Sequence, residues 1–406
     1  MQKKDKLKFP PGFLWGSATS AHQIEGNNKN SDWWAWEHSY LRVHSIKRLG
    51  KNPEDFMSGL AADSWHKFEE DFSIAQELGQ NAHRLSVEWA KIEPKEGEFS
   101  ESALDHYEKV FQSAKFHGLK LFVTLHHYTV PLWFAKKGGF ENKHNIDSFV
   151  RYGMKVAERL GEYADFWITF NEPELYSILP FLTGKYPPQK RSPWTAYKVA
   201  RNLIRSHNIL SQKLKLQTGK PVSIAFHISD LQPENIWSIF TTNLLHYFAN
   251  EYFLKRTLAA CDFIGVNYYN HHHVGFLGPR KHSHSGHEET DVGWGIHPDG
   301  IERVLLSLKK YQKPIYITEN GLADAKDTKR EKFIVDHLYF VHRAIEQGAE
   351  VKSYLYWSLI DNFEWTEGYD PKFGLVAIDR QDMFRRRVRH SALKFAEICK
   401  NNYLEH

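Results

Sequence analysis

Eight short apolar runs recur along this chain of 406 residues, and each is followed by turn-like residues and then by a longer segment of helical period. The runs are hydrophobic on both faces, as parallel strands covered by helices are. They lie at 13–19, 82–87, 120–125, 166–170, 222–226, 263–266, 315–318 and 351–357. The pattern predicts an α/β fold, a closed (β/α)8 barrel of the TIM type, which takes up residues 1–406 as one domain.

Two of the helical segments are predicted over 62–78 and 235–254. The second carries an apolar stripe, the face by which a helix normally packs on a core. It is also the most apolar long stretch of the chain, but Asn243, His246, Asn250 and Glu251 interrupt it, so we expect no membrane span. The stripe consists of Ile236, Phe240, Leu244 and Tyr247.

Charge and cysteine content exclude several other classes of protein. The 53 basic and 49 acidic side chains give a net charge of +4. On so long a chain this charge is too small to indicate nucleic-acid binding. Cys261 and Cys399 are too few for a disulfide framework. The first eight residues are charged and show no apolar signal segment. We expect a cytoplasmic protein with neither a nucleic-acid nor a membrane partner, and the oligomeric state stays open.

Reactive side chains stand where strands are expected to end, which is where barrels place their active sites. Glu172 follows the fourth run and Glu319 follows the seventh. A single carboxylate there is more often a helix cap or an ion-pair partner. Two carboxylates on opposite sides of the ring point across the barrel mouth at each other, which is the arrangement that glycosidic-bond cleavage requires.

The other strand ends agree with this reading. Arg84 lies among apolar neighbours in the second run, so it must be buried or paired and is well placed to keep a carboxylate ionised. One of the adjacent His126 and His127 can face the mouth. The sixth run ends in an amide and a phenol, and the eighth ends at Trp357. Aromatic platforms alternating with hydrogen-bonding groups suit a sugar ring.

The histidines suggest a metal site less strongly than their number implies. Metal ligands must converge from a fixed frame, whereas these histidines lie in a glycine-rich segment that is expected to be a loop. We therefore predict a structural or adventitious role for them, no metal and no cofactor. The set comprises residues 271–273, His282, His284 and His287.

Seven strings carry a resemblance along the chain, and each begins or ends near a predicted strand. They are FLWG at 13–16, QIEG at 23–26, HRLS at 83–86, TFNEP at 169–173, NYY at 267–269, ITENG at 317–321 and WSLIDNFEW at 357–365. In this order they resemble family 1 of the glycoside hydrolases, the β-glucosidase family. The resemblance covers essentially the whole chain.

The resemblance implies a retaining double displacement with Glu172 as general acid/base and Glu319 as nucleophile. Retention requires the two carboxyl groups to lie about 5–5.5 Å apart. The resemblance further assigns Arg84 and Tyr269 to holding Glu319 ionised and Asn171 to the sugar 2-hydroxyl. The remaining implied substrate-binding residues are Gln23, His127 and Glu364 for the other hydroxyls, Trp357 and Trp365 for the ring faces, Trp294 for the aglycone, and Phe373.

Three departures from the family pattern stand out. Tyr128 and Thr129 occupy positions where the family usually has Trp and Asp, and His227 stands where it often has Asn. The connection between the fifth and sixth strands, about 227–262, is much shorter than the family usually carries.

The leading hypothesis is a cofactor-free, retaining, exo-acting β-glycosidase that acts on small β-glycosides or short oligosaccharides. We expect a β-glucosidase, with β-galactosidase or β-fucosidase activity possible. The alternatives are a sugar-binding pseudo-enzyme on the same barrel, a β-mannosidase or transglycosylase of the family, and a metal-dependent barrel hydrolase. The sequence does not fix the preferred epimer or the aglycone, because epimers differ by the orientation of one hydroxyl.

Overall fold

The computed structural model describes residues 6–279 and 288–405 and contains a closed barrel of eight parallel strands. Each strand pairs with the next one along the chain, and the last pairs with the first. All eight predicted runs are strands, so the predicted (β/α)8 barrel is confirmed. The strands are β1 (Leu14–Ala18), β2 (Ala82–Ser86), β3 (Lys120–His126), β4 (Phe166–Asn171), β5 (Val222–His227), β6 (Ile264–Asn267), β7 (Ile315–Asn320) and β8 (Val351–Trp357).

A principal helix follows each strand and covers the outside of the barrel. The predicted helix over 62–78 is confirmed as the first of them. The helices are α1 (Ser64–Glu77), α2 (Glu101–Phe116), α3 (Ile146–Leu160), α4 (Pro193–Thr218), α5 (Ile239–His246), α6 (Asp299–Leu308), α7 (Arg330–Glu346) and α8 (His390–Asn401).

Shorter elements lie around this frame. The short helices are Ala21–Ile24, Asp32–Glu37, Tyr40–Arg48, Trp89–Ile92, Leu132–Lys136, Pro173–Ile178 and Tyr252–Thr257. Three small sheets pair Lys6–Lys8 with Tyr403–Glu405, Val376–Asp379 with Arg385–Val388, and His271–Gly275 with both Asp230–Pro233 and Gly278–Pro279.

Local sequence explains where the long helix α4 begins and ends. Ser192 caps it, because its hydroxyl accepts a hydrogen bond from the amide of Thr195, and Pro193 occupies the first turn, where no amide donor is needed. Gly219 ends the helix with φ +64°, a left-handed conformation that glycine adopts without steric cost.

The barrel interior is apolar below and polar above. At the amino-terminal ends of the strands it is closed by a buried cluster that includes Phe122, Ile168 and Phe263. Arg84 and Thr124 each lie two residues beyond a member of this cluster on the same strand. They face the same interior, because side chains alternate between the two faces of a strand. The apolar plug therefore lies directly beneath the polar groups at the mouth.

The connection between β5 and β6 overturns one expectation. It is helical, as predicted over 235–254, but the apolar stripe does not face the core: Ile236 and Phe240 are 74% and 76% exposed. A π-helical turn at Tyr247–Glu251 separates α5 from the next helix and shifts which side chains point inward. Asn250, hydrogen-bonded to the backbone of Ser229, anchors the inner face instead.

None of the helices in the described part of the chain combines the length and the apolar composition that crossing a membrane requires.

Candidate active site

The two carboxylates predicted from the sequence lie at the carboxyl ends of their strands. Glu172 directly follows β4, and Glu319 is the penultimate residue of β7, which continues one residue beyond it. Glu172 has φ +44°, in the left-handed region that is costly for a residue with a side chain. Such a conformation persists only where the surroundings hold it, here including a hydrogen bond from its amide to the carbonyl of Ala225.

Glu319 is held by two strong donors. Arg84 Nη1 donates to Glu319 Oε1 at 2.5 Å, and the Tyr269 hydroxyl donates to Oε2 at 2.8 Å. Arg84 is almost fully buried, and its Nε donates to Thr124 Oγ1 at 3.0 Å, which fixes the guanidinium. These contacts orient both oxygens of the carboxylate and favour its ionised form.

Glu172 has three polar partners that the sequence did not assign to the site. The Tyr128 hydroxyl donates to Glu172 Oε2 at 2.5 Å, and Asn267 Nδ2 donates to Oε1 at 2.9 Å. His227 Nδ1 lies 3.3 Å from the same Oε1. The only sequence signals for them were the departures at positions 128 and 227 and the amide at the end of the sixth run.

Asn171 joins the surroundings of the two carboxylates. Its Oδ1 accepts hydrogen bonds from Arg84 Nη2 at 2.7 Å and from Asn267 Nδ2 at 3.0 Å. Its Nδ2 lies 3.1 Å from Nε2 of His127. A continuous chain of hydrogen bonds therefore runs from Glu319 through Arg84, Asn171 and Asn267 to Glu172.

Burial dominates the titration of Glu319. It raises the pKa of Glu319 to about 7, and the charge of Glu172 acts in the same direction, while Arg84 and Tyr269 oppose both. Two carboxyl groups that influence each other in this way share their protons, so the titration belongs to the pair. Burial and the mutual repulsion therefore hinder ionisation of both carboxyl groups at the same time.

Glu172 experiences the opposite balance. Burial pushes its pKa upward, but the hydrogen bonds from His227, Tyr128 and Asn267 outweigh burial and hold the pKa below its ordinary value. The contact with His227 therefore contributes to holding Glu172 in its ionised form.

Gln23 and Glu364, both predicted from the sequence, contact each other at the mouth. Gln23 Nε2 lies 3.2 Å from Glu364 Oε2 and also donates to Asn362 Oδ1 at 3.0 Å. Burial raises the pKa of Glu364 to about 8, and the charge of Glu319 adds to the rise. Glu364 therefore belongs to the same electrostatic environment as the catalytic candidates.

Aromatic rings from the predicted set form two groups. The His127 ring is roughly parallel to those of Trp357 and Trp365, with ring centroids 5.9 and 6.1 Å away. The Trp294 ring has its centroid 5.7 Å from that of Tyr269 and 6.1 Å from that of Phe373. Trp357 and Phe373 share one buried cluster, against which Tyr269 and Trp294 pack. All twelve candidate residues predicted from the sequence thus lie together at the barrel mouth.

Gly321 permits the ends of β7 and β8 to approach closely. A Cβ atom at this position would lie 1.8 Å from the carbonyl oxygen of Trp357. Only glycine fits there, so the chain can place Glu319 on β7 beside Trp357 on β8.

The histidine-rich region contains a cluster of Asp230, His271 and His297, whose ligand atoms lie within 4.8 Å of one another. Asp230 Oδ2 accepts hydrogen bonds from Arg303 Nη2 at 2.6 Å and from His271 Nδ1 at 2.7 Å. The imidazole rings of His271 and His297 stack, with their centroids 3.7 Å apart and their planes at 16°. Their in-plane lone pairs therefore point side by side rather than at one point. This geometry favours a structural role. His282, His284 and His287 lie outside the described residues.

With this geometry defined, the chain can be compared with known proteins. The family model described as glycosyl hydrolase family 1 matches residues 5–260 and 248–404. The chain belongs to glycosyl hydrolase family 1.

Its relatives in the family include the beta-glucosidase A of Thermotoga maritima, which is 31% identical over 452 aligned residues covering 98% of this chain and 99% of that protein. A beta-galactosidase of Pyrococcus woesei is 26% identical over 501 aligned residues, covering 97% of each. Among solved structures, the beta-glycosidase from Pyrococcus horikoshii is 36% identical, with a TM-score of 0.89 over 99% of this chain and 97% of that one.

Family membership confirms the predicted class of enzyme. The protein is a glycoside hydrolase of the β-glucosidase type, on the (β/α)8 barrel of its relatives.

Proposed function

We propose that this protein removes terminal β-glucosyl residues by a retaining double displacement, with Glu319 as the nucleophile and Glu172 as the general acid/base. The observation that carries the proposal is the asymmetry of the two carboxylates. Glu319 is bonded to a permanently charged guanidinium and a phenol, whereas Glu172 contacts a phenol, an amide and an imidazole. Two carboxylates with different surroundings can divide the roles of nucleophile and acid.

In the first step, a carboxylate oxygen of Glu319 attacks the anomeric carbon. The bond from that carbon to the leaving oxygen breaks, and Glu172 transfers its proton to the leaving oxygen. The step uses the state in which the single proton of the pair lies on Glu172. Arg84 and Tyr269 stabilise the ionised Glu319 of this state. In the sugar-free site burial raises the pKa of Glu319, and the donors around Glu172 lower the pKa of Glu172, so the proton lies on Glu319 there and has to pass to Glu172 when the substrate binds.

In the second step, Glu172 acts as a base. It takes a proton from water, whose oxygen attacks the anomeric carbon and releases Glu319 from the sugar. Each displacement inverts the anomeric centre, so the product keeps the β configuration of the substrate. The site returns to one proton on the pair, as the first step requires.

The remaining residues at the mouth suit a single sugar ring. Gln23, His127 and Glu364 offer polar groups for its hydroxyls, Trp357 and Trp365 offer flat faces, and Asn171 lies between the carboxylates, where a 2-hydroxyl would bind. The rings of Trp294 and Phe373 lie 6.1 Å apart and are proposed to contact the aglycone. Glucose is the proposed glycone, and β-galactosides, β-fucosides and β-mannosides are the alternatives to compare with it.

The stereochemical outcome tests the mechanism. Hydrolysis of 4-nitrophenyl β-D-glucoside, followed by proton NMR in the first minutes, is expected to show β-glucose first and α-glucose only as mutarotation proceeds. If α-glucose appears first, the enzyme inverts, Glu319 does not form a covalent intermediate and the proposal is wrong.

A second test concerns phosphorylated substrates. We expect kcat/KM for an aryl β-glucoside to exceed that for its 6-phosphate by at least about tenfold, because a phosphate dianion would be buried among the site carboxylates. The ratio is expected to rise as the pH passes through about 8, where Glu364 ionises.

Glu364→Gln is the matched variant for this test. Its glutamine cannot ionise, so the rise of the ratio near pH 8 should disappear, although overall activity falls. Equal turnover of the phosphorylated and the plain glucoside would show that the site tolerates the dianion, and would contradict the prediction.

Tyr128 provides a test of pH dependence. Tyr128→Phe removes a donor to ionised Glu172, so the pKa of Glu172 should rise. The acid then stays protonated to higher pH, and the alkaline limb of the kcat/KM profile is expected to move upward by about one pH unit. The measurement is kcat/KM for an aryl β-glucoside between pH 4 and pH 10.

Tyr176→Phe is the control, because the Tyr176 ring lies 6.3 Å from that of Tyr128 and is likewise buried. Its hydroxyl makes no hydrogen bond to Glu172 within the described ranges 6–279 and 288–405. The control should leave the alkaline limb in place. A downward shift in Tyr128→Phe, or equal shifts in both variants, would contradict the assigned contact.

We infer that the short connection between β5 and β6 is a feature of one continuous domain. The two stretches that match the family model overlap at residues 248–260, inside this connection. The aligned length of 452 residues against a chain of 406 also requires residues in the Thermotoga maritima relative that have no counterpart here.

A further inference from the structure

Large apolar side chains are exposed in the connection between β5 and β6. Trp237 and Phe240 are 78% and 76% exposed, and Phe248 on the same helical segment is 55% exposed. The turn at Phe276, which is 70% exposed, lies against α5, because Thr241 Oγ1 donates to its carbonyl oxygen at 2.9 Å. Single exposed apolar residues are ordinary, but a contiguous aromatic group marks an interaction site.

The neighbouring helix α4 extends this group. It lies alongside the helix Tyr252–Thr257, to which Asn208 Nδ2 is hydrogen-bonded at the carbonyl of Arg256. Trp194 and Tyr197 at the start of α4 are 62% and 42% exposed and stack at 5.6 Å. Burial raises the pKa of the Tyr252 phenol, and Tyr197 lies near enough to add to the rise.

Together these side chains form one surface, which we call the aromatic surface. Each helix of a (β/α)8 barrel begins at the face that carries the active site, so the starts of α4 and α5 lie at the mouth end of the barrel. The aromatic surface therefore lies beside the entrance rather than at the closed end. Its members are Trp194, Tyr197, Trp237, Phe240, Phe248 and Phe276.

Positive charges predominate around the aromatic surface. Lys198, Arg201 and Arg205 lie in the first half of α4, and Lys255 and Arg256 lie on the helix that follows α5. The acids nearby are Glu234, three residues before Trp237, and Glu251, which is paired with Lys255 and Lys310. Two of the cations lie close to aromatic rings. Lys198 Nζ is 5.6 Å from the centroid of the Trp194 ring, and the Arg256 guanidinium carbon is 3.9 Å from the centroid of the Tyr252 ring.

The combination of exposed aromatic rings and positive charges indicates what binds to the aromatic surface. Exposed Trp and Phe beside Lys and Arg match the boundary between the acyl chains and the headgroups of an anionic lipid layer. A second copy of this chain, seated symmetrically on the same surface, would bring its positive charges against those of the first. We propose that the aromatic surface docks this enzyme on the surface of an anionic lipid bilayer, without spanning it.

Docking has a consequence for substrate access, which rests on the proposed function. Because the aromatic surface lies at the mouth end of the barrel, a docked enzyme holds its entrance near the headgroups. β-Glycosides whose aglycone is anchored in the bilayer would then reach the site more readily than their solubility in water allows. The expectation that a membrane is no partner rested on the lack of a spanning segment, which surface docking does not need.

Co-sedimentation with vesicles tests the proposal on the full chain. The wild-type protein is expected to sediment with vesicles of equal phosphatidylcholine and phosphatidylglycerol at low salt, and much less with phosphatidylcholine alone. Trp237→Ser with Phe240→Ser is expected to weaken binding at least about tenfold, because two aromatic anchors are lost. Lys198→Glu with Arg201→Glu should weaken binding and reduce its dependence on salt.

The matched control replaces two equally exposed apolar residues elsewhere, Phe116→Ser with Leu49→Ser, which are 84% and 76% exposed in the wild-type protein. It should bind vesicles as the wild type does. All variants should keep the wild-type kcat/KM for a soluble aryl β-glucoside, which shows that they are folded. Sedimentation needs no turnover, so a failed glycosidase assay would count against the proposed function and leave the docking result readable.

Three results would overturn the proposal. The first is no sedimentation of the wild-type protein with anionic vesicles. The second is equal sedimentation of the wild type and of Trp237→Ser with Phe240→Ser. The third is a wild-type dimer in size-exclusion chromatography that the double variant loses without any vesicle binding, which would assign the aromatic surface to a second copy.

Discussion

Replacement of Glu319 by alanine is expected to lower kcat/KM for an aryl β-glucoside by about 10⁴-fold or more. The variant loses the carboxylate that Arg84 and Tyr269 orient, and with it the group proposed to form the covalent intermediate. Steady-state rates with 2,4-dinitrophenyl β-glucoside measure the loss, because this leaving group departs without acid assistance. A drop of this size on so activated a substrate isolates the role of the nucleophile.

Added azide should restore much of the lost rate. A small anion can enter the space left by the carboxylate and attack the anomeric carbon once, which gives an α-glucosyl azide that NMR identifies. Glu319→Gln serves as the control, because it removes the charge but leaves no space for azide. If Glu319→Ala kept more than a tenth of the activity, or if its azide product were the β anomer, Glu319 would not be the nucleophile.

Replacement of Glu172 by alanine is expected to depend strongly on the leaving group. Loss of general acid catalysis should lower the rate of sugar transfer from an alkyl β-glucoside by about 10³-fold or more, since a departing alkoxide needs the proton. Transfer from 2,4-dinitrophenyl β-glucoside should change far less, because that leaving group is stable as an anion. Pre-steady-state measurement separates this first step from the slower release of the sugar.

The pH profile of the same variant gives an independent check. Glu172→Ala should lose the alkaline limb of kcat/KM, because the group whose deprotonation causes it is gone. His227→Asn keeps Glu172 but removes the contact with the imidazole that lowers the pKa of Glu172, so it should keep an alkaline limb, moved to higher pH. Equal losses on activated and unactivated glucosides would contradict the assignment of Glu172 as the acid.

Much of the barrel was predictable because its strands are buried on both faces. A run such as 120–125 can only be an interior strand, and eight such runs separated by helical segments leave few other closed arrangements. The ends were less certain: β3 extends to His126, and β7 continues past Glu319 to Asn320. A strand end depends on hydrogen bonds to its neighbours rather than on its own residues, so the exact register lay outside the sequence.

The surroundings of Glu172 were less predictable than the residue itself. Tyr128, His227 and Asn267 come from three different strand ends, separated by up to 139 residues. Each is ordinary in its local sequence, and only closure of the barrel brings the three side chains to one carboxylate. Their contacts set the direction in which the pKa of Glu172 moves, which no local pattern reports.

For the apolar stripe on the connection between β5 and β6, the predicted helix was right but the predicted burial of the stripe was wrong. Periodicity correctly predicted a helix, because spacing by three and four residues is a local property. The same periodicity could not say which way the stripe points. A π-helical turn and the anchoring of Asn250 turned Phe240 outward.

The sequence by itself determined the barrel, the two carboxylates and most of the residues around them. The reason is that an apolar run and the polar residues that follow it are local patterns, which predict a buried strand and the chemistry at its end. Only the tertiary structure decided which groups touch Glu172, how the two carboxylates share a proton and which apolar face stays exposed. The physical reason is that hydrogen bonding, pKa and exposure depend on neighbours in space, and in a closed barrel those neighbours come from strands far apart in the chain.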